Sequence, residues 1–171
     1  MTVPDRIFLV GPMGVGKTTV GRQLAANLKK DFLDADRAIE ERTGASIPLI
    51  FDIEGEEGFR TRERGIIDEL TREHGLVLAT GGGAVLDPDN RRHLVERGYV
   101  IYLYAPVERL YERTYRDRNR PLLQTEDPKG RLEELMRERD PLYREVADRV
   151  LETGNRPVRQ VVRDLCRELR G

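Results

Sequence analysis

At 171 residues and a formal net charge of −1, the chain has material for one domain with a full core. The balanced charge predicts neither a nucleic-acid footprint nor a polybasic membrane anchor. A single cysteine and two histidines exclude an internal disulfide, a His-based triad and a His/Cys zinc site.

The first predicted element is a buried strand, Arg6–Val10. It runs into Gly11-Pro12-Met13-Gly14-Val15-Gly16-Lys17-Thr18-Thr19, a full match to G-x-x-x-x-G-K-[ST]. Apolar residues at helical spacing follow, predicting a helix from Lys17 to about Lys30. Strand, glycine loop and helix are the context a P-loop requires. Gly11, Gly14 and Gly16 let the backbone curl around phosphates, with N–H groups turned inward and the helix N-terminus adding positive potential. Gly14, Val15, Gly16, Lys17, Thr18 and Thr19 are therefore candidate ATP-binding residues. Lys17 reaches the β- and γ-phosphates, and the Thr18 hydroxyl suits Mg²⁺. The chain has 4 Lys against 26 Arg, so a lysine in this loop stands out.

Phe32–Asp34 predicts a second strand and Ala35–Thr43 a helix closed by Gly44. Ser46 and Pro48 open another helix, as N-cap and first-turn proline. Gly55 to Gly58 is expected to interrupt it before a longer helix, Phe59–Arg72, with Ile66, Ile67 and Leu70 inward. Leu76–Ala79 is the third strand, ending in Thr80-Gly81-Gly82-Gly83. Asp87-Pro88 starts a helix that ends near Gly98, and Tyr99–Leu103 is the fourth strand. Pro106 opens a helix to about Arg116. Asp117–Lys129 is polar and aperiodic, long enough for a mobile loop. Arg131–Val146 is helical, with Pro141 expected to break or kink it. Arg149–Leu151 is the fifth strand and Pro157–Leu169 the closing helix, with Cys166 on its apolar stripe. His74 and His93 are expected at the surface. Strands separated by helical crossovers predict a parallel, doubly wound α/β sheet. Residues 35–63 are long for one crossover and predict a helical subdomain over the sheet edge. With no leader segment and no apolar run of ~18 residues, the expected location is cytoplasmic.

Ligands of open α/β sheets bind beyond the carboxyl ends of the strands. Besides the P-loop, two such ends carry polar or glycine-rich groups. Asp34 and Asp36 are two apart and share a face if the strand persists. One would lean to Mg²⁺ and the other to a substrate hydroxyl, although Asp36 also reads as a cap for the next helix. The triple glycine reads as a close approach of backbone to ligand or as a flexible turn. Transfer of a phosphoryl group asks for positive charge beyond Lys17. Arg120, in the polar loop, is a candidate lid arginine.

Taken together, the motifs closely resemble the shikimate kinases of the bacterial type from Ile7 to about Leu169. The resemblance rests on the P-loop, on Phe32-Leu33-Asp34-Ala35-Asp36, and on Ile39 to Gly44. It continues through Ile50-Phe51, Glu54-Gly55-Glu56-Glu57-Gly58-Phe59-Arg60, Ala79 to Ala84, Arg120 to Leu123, and Arg139 ahead of Pro141-Leu142-Tyr143. It implies a three-layer α/β/α P-loop kinase with a five-stranded parallel sheet in the order 2-3-1-4-5. It implies one domain over residues 1–171, with 35–63 as substrate-binding subdomain and 115–128 as lid. The implied activity is transfer of the ATP γ-phosphate to the 3-hydroxyl of shikimate, a step toward chorismate and the aromatic amino acids, by a cytoplasmic monomer. By that likeness Lys17, Asp36 and Arg120 are catalytic, with Asp36 accepting from the attacking hydroxyl. Asp36, Arg60, Gly82 and Arg139 bind shikimate, the arginines clamping its carboxylate. Thr18 ligates Mg²⁺ directly and Asp34 through water. Arg120 contacts ATP, and Arg113 and Arg156 flank adenine.

The main alternative within kinases is a gluconate or other hydroxy-acid kinase sharing loop and lid. A regulatory nucleotide switch is a different class, and the chain lacks the Asn-Lys-x-Asp element with which GTPase switches read guanine.

Overall fold

The structure is a computed structural model and describes residues 2–114 and 125–171. Of the expected lid over 115–128, residues 115–124, Arg120 included, lie outside the described residues, as does the expected end of the Pro106 helix at Arg116.

Five parallel strands form the sheet: β1 (Arg6–Val10), β2 (Asp31–Asp34), β3 (Leu76–Ala79), β4 (Tyr99–Tyr104) and β5 (Arg149–Glu152). Their order is β2-β3-β1-β4-β5, as the resemblance implies. β1 lies between β3 and β4, with Phe8 opposite Leu78 on one side and Val100 on the other. Ile7 through Val10 are fully buried, as expected of a central parallel strand covered on both faces. The order places the carboxyl ends of β1, β2 and β3 side by side. These are the three ends that carry the P-loop, Asp34 and the triple glycine.

Helices α1 (Lys17–Leu28) and α7 (Val158–Arg170) pack on each other, while α4 (Pro88–Arg97) and α6 (Pro128–Val146) meet β4. On α7, Val161, Val162, Leu165, Cys166 and Leu169 form the buried stripe. Each such aliphatic side chain contributes about 1.5–3 kcal/mol of hydrophobic stabilisation. Burial also pushes the Cys166 thiol up. Helices α2 (Ala35–Thr43) and α3 (Ile47–Leu70) pack together, forming the helical segment expected over 35–63. A short helix, α5 (Val107–Thr114), follows β4. No described helix is long and apolar enough to cross a membrane.

Local signals explain most boundaries. Gly44 closes α2 in the left-handed conformation, and Ser46 caps α3 by accepting from the Leu49 N–H. Asp87 caps α4, accepting from the N–H groups of Asp89 and Asn90.

Several expectations need correction. The interruption of α3 is confined to Gly55, at φ 74° and ψ 179°, a region only glycine occupies readily. Gly58 is already helical. Helix α6 starts at Pro128, so Pro128 and Lys129 leave the expected loop. The helix also continues through Pro141. Buried Arg139 and Tyr143 anchor it on both sides of the proline, and tertiary packing outweighs the lost hydrogen bond. His74 is exposed and pairs with Asp5, but the His93 side chain is only 12% exposed and lies 3.6 Å from Asp68. A 3₁₀ turn, Ala84–Leu86, precedes α4 and was not expected.

Candidate active site

The P-loop crosses from β1 to α1, with Gly16 left-handed at the helix start. Lys17 folds back over the loop, its Nζ donating to Gly11 O at 2.6 Å and Pro12 O at 2.9 Å. From α5, Arg113 donates to Gly14 O at 3.1 Å and Val15 O at 3.3 Å. These contacts satisfy the carbonyls of Gly11, Pro12, Gly14 and Val15, while the Val15 N–H bonds to Pro12 O at 3.4 Å.

β2 ends at Asp34, and this residue rather than Asp36 caps α2. Asp34 Oδ1 accepts from the N–H groups of Asp36 at 3.0 Å and Arg37 at 3.2 Å. The extended run needed to put both carboxylates on one strand face therefore stops short. Asp36 instead sits in the first turn of α2. Asp34 Oδ2 accepts from Thr18 Oγ1 at 2.7 Å. One cleft of ≈ 350 Å³ nevertheless collects Lys17, Thr18, Asp34, Asp36, Gly81 and Gly82.

The triple glycine is a place of close approach. A Cβ on Gly81 would lie 2.7 Å from Asp36 Oδ1 and 3.1 Å from Glu63 Oε2. A Cβ on Gly82 would lie 3.6 Å from the Arg139 guanidinium, and one on Gly83 would intersect that of Arg60. Both expected clamp arginines thus border this loop from opposite helices, Arg60 from α3 and Arg139 from α6.

Sequence reasoning missed two residues here. Glu63 is buried, and its Oε1 accepts from Arg60 at 2.9 Å. Burial pushes its carboxyl up, with Arg60 opposing. Its three-residue spacing from Arg60 on one helix was the available signal. Tyr143 is fully buried and donates to Gly82 O at 2.5 Å. Burial pushes its phenol up to about 12. Arg139 is 3% exposed, and burial lowers its guanidinium from the usual value, with Arg60 adding repulsion. The outward groups Arg113 and Arg156 meet across a second cavity of ≈ 330 Å³, shared with Gly14, Gly16 and Thr153. Arg156 is held there by Asp164 at 2.8 Å and Glu152 O at 2.7 Å.

A phosphate-binding loop, a neighbouring carboxylate and two arginines around an open α/β sheet define a P-loop kinase for a small anionic acceptor. The family model described as shikimate kinase matches residues 13–170. The chain is 61% identical to the shikimate kinase of Nitrosococcus oceani, over 96% of this chain and 86% of that one. It is also 61% identical to that of Halorhodospira halophila, over 98% and 95%. The fold matches the solved shikimate kinase from Acinetobacter baumannii in complex with shikimate, at TM-score 0.95 and 55% identity, over 96% and 92% of the two chains. The chain belongs to the shikimate kinase family.

Proposed function

We infer that this chain transfers the γ-phosphate of ATP to the 3-hydroxyl of shikimate, giving shikimate 3-phosphate and ADP. The observation that carries the reading is the common cleft. P-loop, Asp36 and Gly82 open into one space, and Arg60 and Arg139 approach the same glycine loop from outside.

In this reading the loop N–H groups and Lys17 hold the β- and γ-phosphates. Thr18 and Asp34 offer a hydroxyl and a carboxylate 2.7 Å apart, hard oxygen donors suited to Mg²⁺ shared with phosphates. No cluster of three or more acidic, His or Cys side chains able to hold a metal occurs among the described residues, and a Mg²⁺ held partly by substrate needs none. When bound, the ion supplies charge neutralisation at the phosphates.

Asp36 orients the attacking hydroxyl and takes its proton. Arg60 and Arg139 bind the carboxylate of shikimate, where guanidinium forks pair bidentately. The Gly82 carbonyl is committed to Tyr143, so its N–H is the backbone group offered to substrate. Arg113 and Arg156 flank adenine in the second cavity. Residues 35–63 form the substrate-binding part of a single domain. Phosphoryl transfer asks mainly for alignment and charge stabilisation, which this set supplies. The family likeness supports a monomer as the working unit, and ATP as co-substrate supports a cytoplasmic location.

A coupled ADP-release assay with shikimate, gluconate and nucleoside monophosphates tests the reading. Turnover with shikimate is expected. Turnover with gluconate and none with shikimate would overturn it.

A further inference from the structure

We propose that Tyr143 is a positioning residue for the acceptor substrate, its hydroxyl holding the Gly82 peptide and the Arg139 guanidinium in register. The proposal rests on the reading of Gly82 and Arg139 as substrate-facing groups. The phenol donates to Gly82 O at 2.5 Å and is fully buried, with the Arg139 guanidinium beside it. Arg139 Nε has no hydrogen-bond partner among the described residues. With Nε unpartnered, the guanidinium takes its orientation from its other contacts, the Tyr143 hydroxyl among them.

The ring is fixed from behind. It packs on the Tyr102 ring with centroids 4.8 Å apart and the planes tilted by 37°. Tyr143 therefore links a rigid part of α6 to a glycine loop that has no side chains of its own to hold it. Fixing the Gly82 carbonyl sets the plane of the following peptide and hence the position of Gly83 against Arg60. One hydroxyl thereby relates the Gly82–Gly83 peptide to both clamp arginines. The fold alone does not ask for a phenol here, because phenylalanine would fill the same volume against Tyr102. The hydroxyl acts only on the loop and on Arg139.

The test compares Tyr143→Phe with Tyr102→Phe, and with Arg139→Ala as a check on the site. Tyr143→Phe keeps the ring and removes the donor. It should raise the KM for shikimate about tenfold while leaving the KM for ATP unchanged, with the calorimetric Kd for shikimate weakened in step. Tyr102→Phe removes a neighbouring phenol hydroxyl that faces Asp140 instead of the glycine loop, and its shikimate KM should stay within about twofold of wild type. If Tyr143→Phe leaves the shikimate KM unchanged while Arg139→Ala raises it, the role of Tyr143 is refuted and the site reading stands. If Arg139→Ala changes nothing, the site reading itself fails. Equal rises in the KM of ATP and shikimate, or a Tyr143→Phe chain that does not fold, would make the hydroxyl a general stability element and overturn the proposal.

Discussion

Thr18 Oγ1 donates to Asp34 Oδ2 at 2.7 Å, and the other oxygen of the same carboxylate caps α2. One side chain thus ties the phosphate loop to the end of β2 and starts the helix that presents Asp36. Asp34 thereby sets the spacing between the P-loop and the first turn of α2.

Asp34→Asn separates these two duties. Asparagine caps helices about as well as aspartate, so urea denaturation should show a change within ~0.5 kcal/mol. Without the charge, the Mg²⁺ concentration for half-maximal activity should rise about tenfold, because a neutral amide attracts a hard dication and holds its bound water less firmly than a carboxylate does. An unchanged Mg²⁺ requirement would remove Asp34 from the metal site.

Gly83→Ala tests the close approach of the glycine loop to Arg60. The backbone of Gly83, at φ −100°, accepts alanine, but the new methyl would intersect the Arg60 guanidinium. Arg60 is pinned by Glu63 and Glu56 and stacks over Phe59, so it moves only by giving up those contacts. The shikimate KM should rise about tenfold, the effect of one lost charge-assisted hydrogen bond, with the ATP KM unchanged. Steady-state kinetics in both substrates checks this.

Two glycines of α3 should respond in opposite directions. Gly55 sits at φ 74° with open space around it, so alanine meets only backbone strain and should cost about 1–3 kcal/mol. Gly65 is helical and equally open, and alanine there should stabilise by about 0.5–1 kcal/mol. Urea midpoints of the two variants give the comparison.

Glu63→Ala should destabilise the fold by on the order of 3 kcal/mol, because it leaves partly buried Arg60 with only the more exposed Glu56 as counter-charge. Chemical denaturation measures this directly. A loss below about 0.5 kcal/mol, typical of a surface pair, would contradict the buried-pair account.

Much of this was legible beforehand because the signals are local. Gly-Lys-Thr after a strand, Gly44 after a helix, Ser46 and Asp87 before one, each act over three or four residues, and the structure bears them out. The errors fell where tertiary contacts decide. Asp36 reads from the sequence as a possible cap, whereas β2 ends at Asp34, where expected, and Asp34 itself takes that role. Pro141 predicts a break or a kink in α6, and of these the break does not occur, because buried Arg139 and Tyr143 hold the helix across it. His93 was placed at the surface, since nothing in its own helix announces Asp68 on α3. Glu63 looked like one more charge in a chain that is 36% charged, and only the fold shows it buried. The strand order came from the family resemblance, since alternation of strands and helices alone leaves it open.

The central claim is that Asp36 receives the acceptor's proton in a cleft whose other half binds ATP. The most direct measurement is single-turnover phosphoryl transfer to shikimate by Asp36→Asn, with the Kd for ATP measured on the same variant. Removing a general base costs about 10²- to 10⁴-fold in rate. The account predicts a loss of that size in the transfer step, with the ATP Kd unchanged. Transfer at the wild-type rate would contradict it.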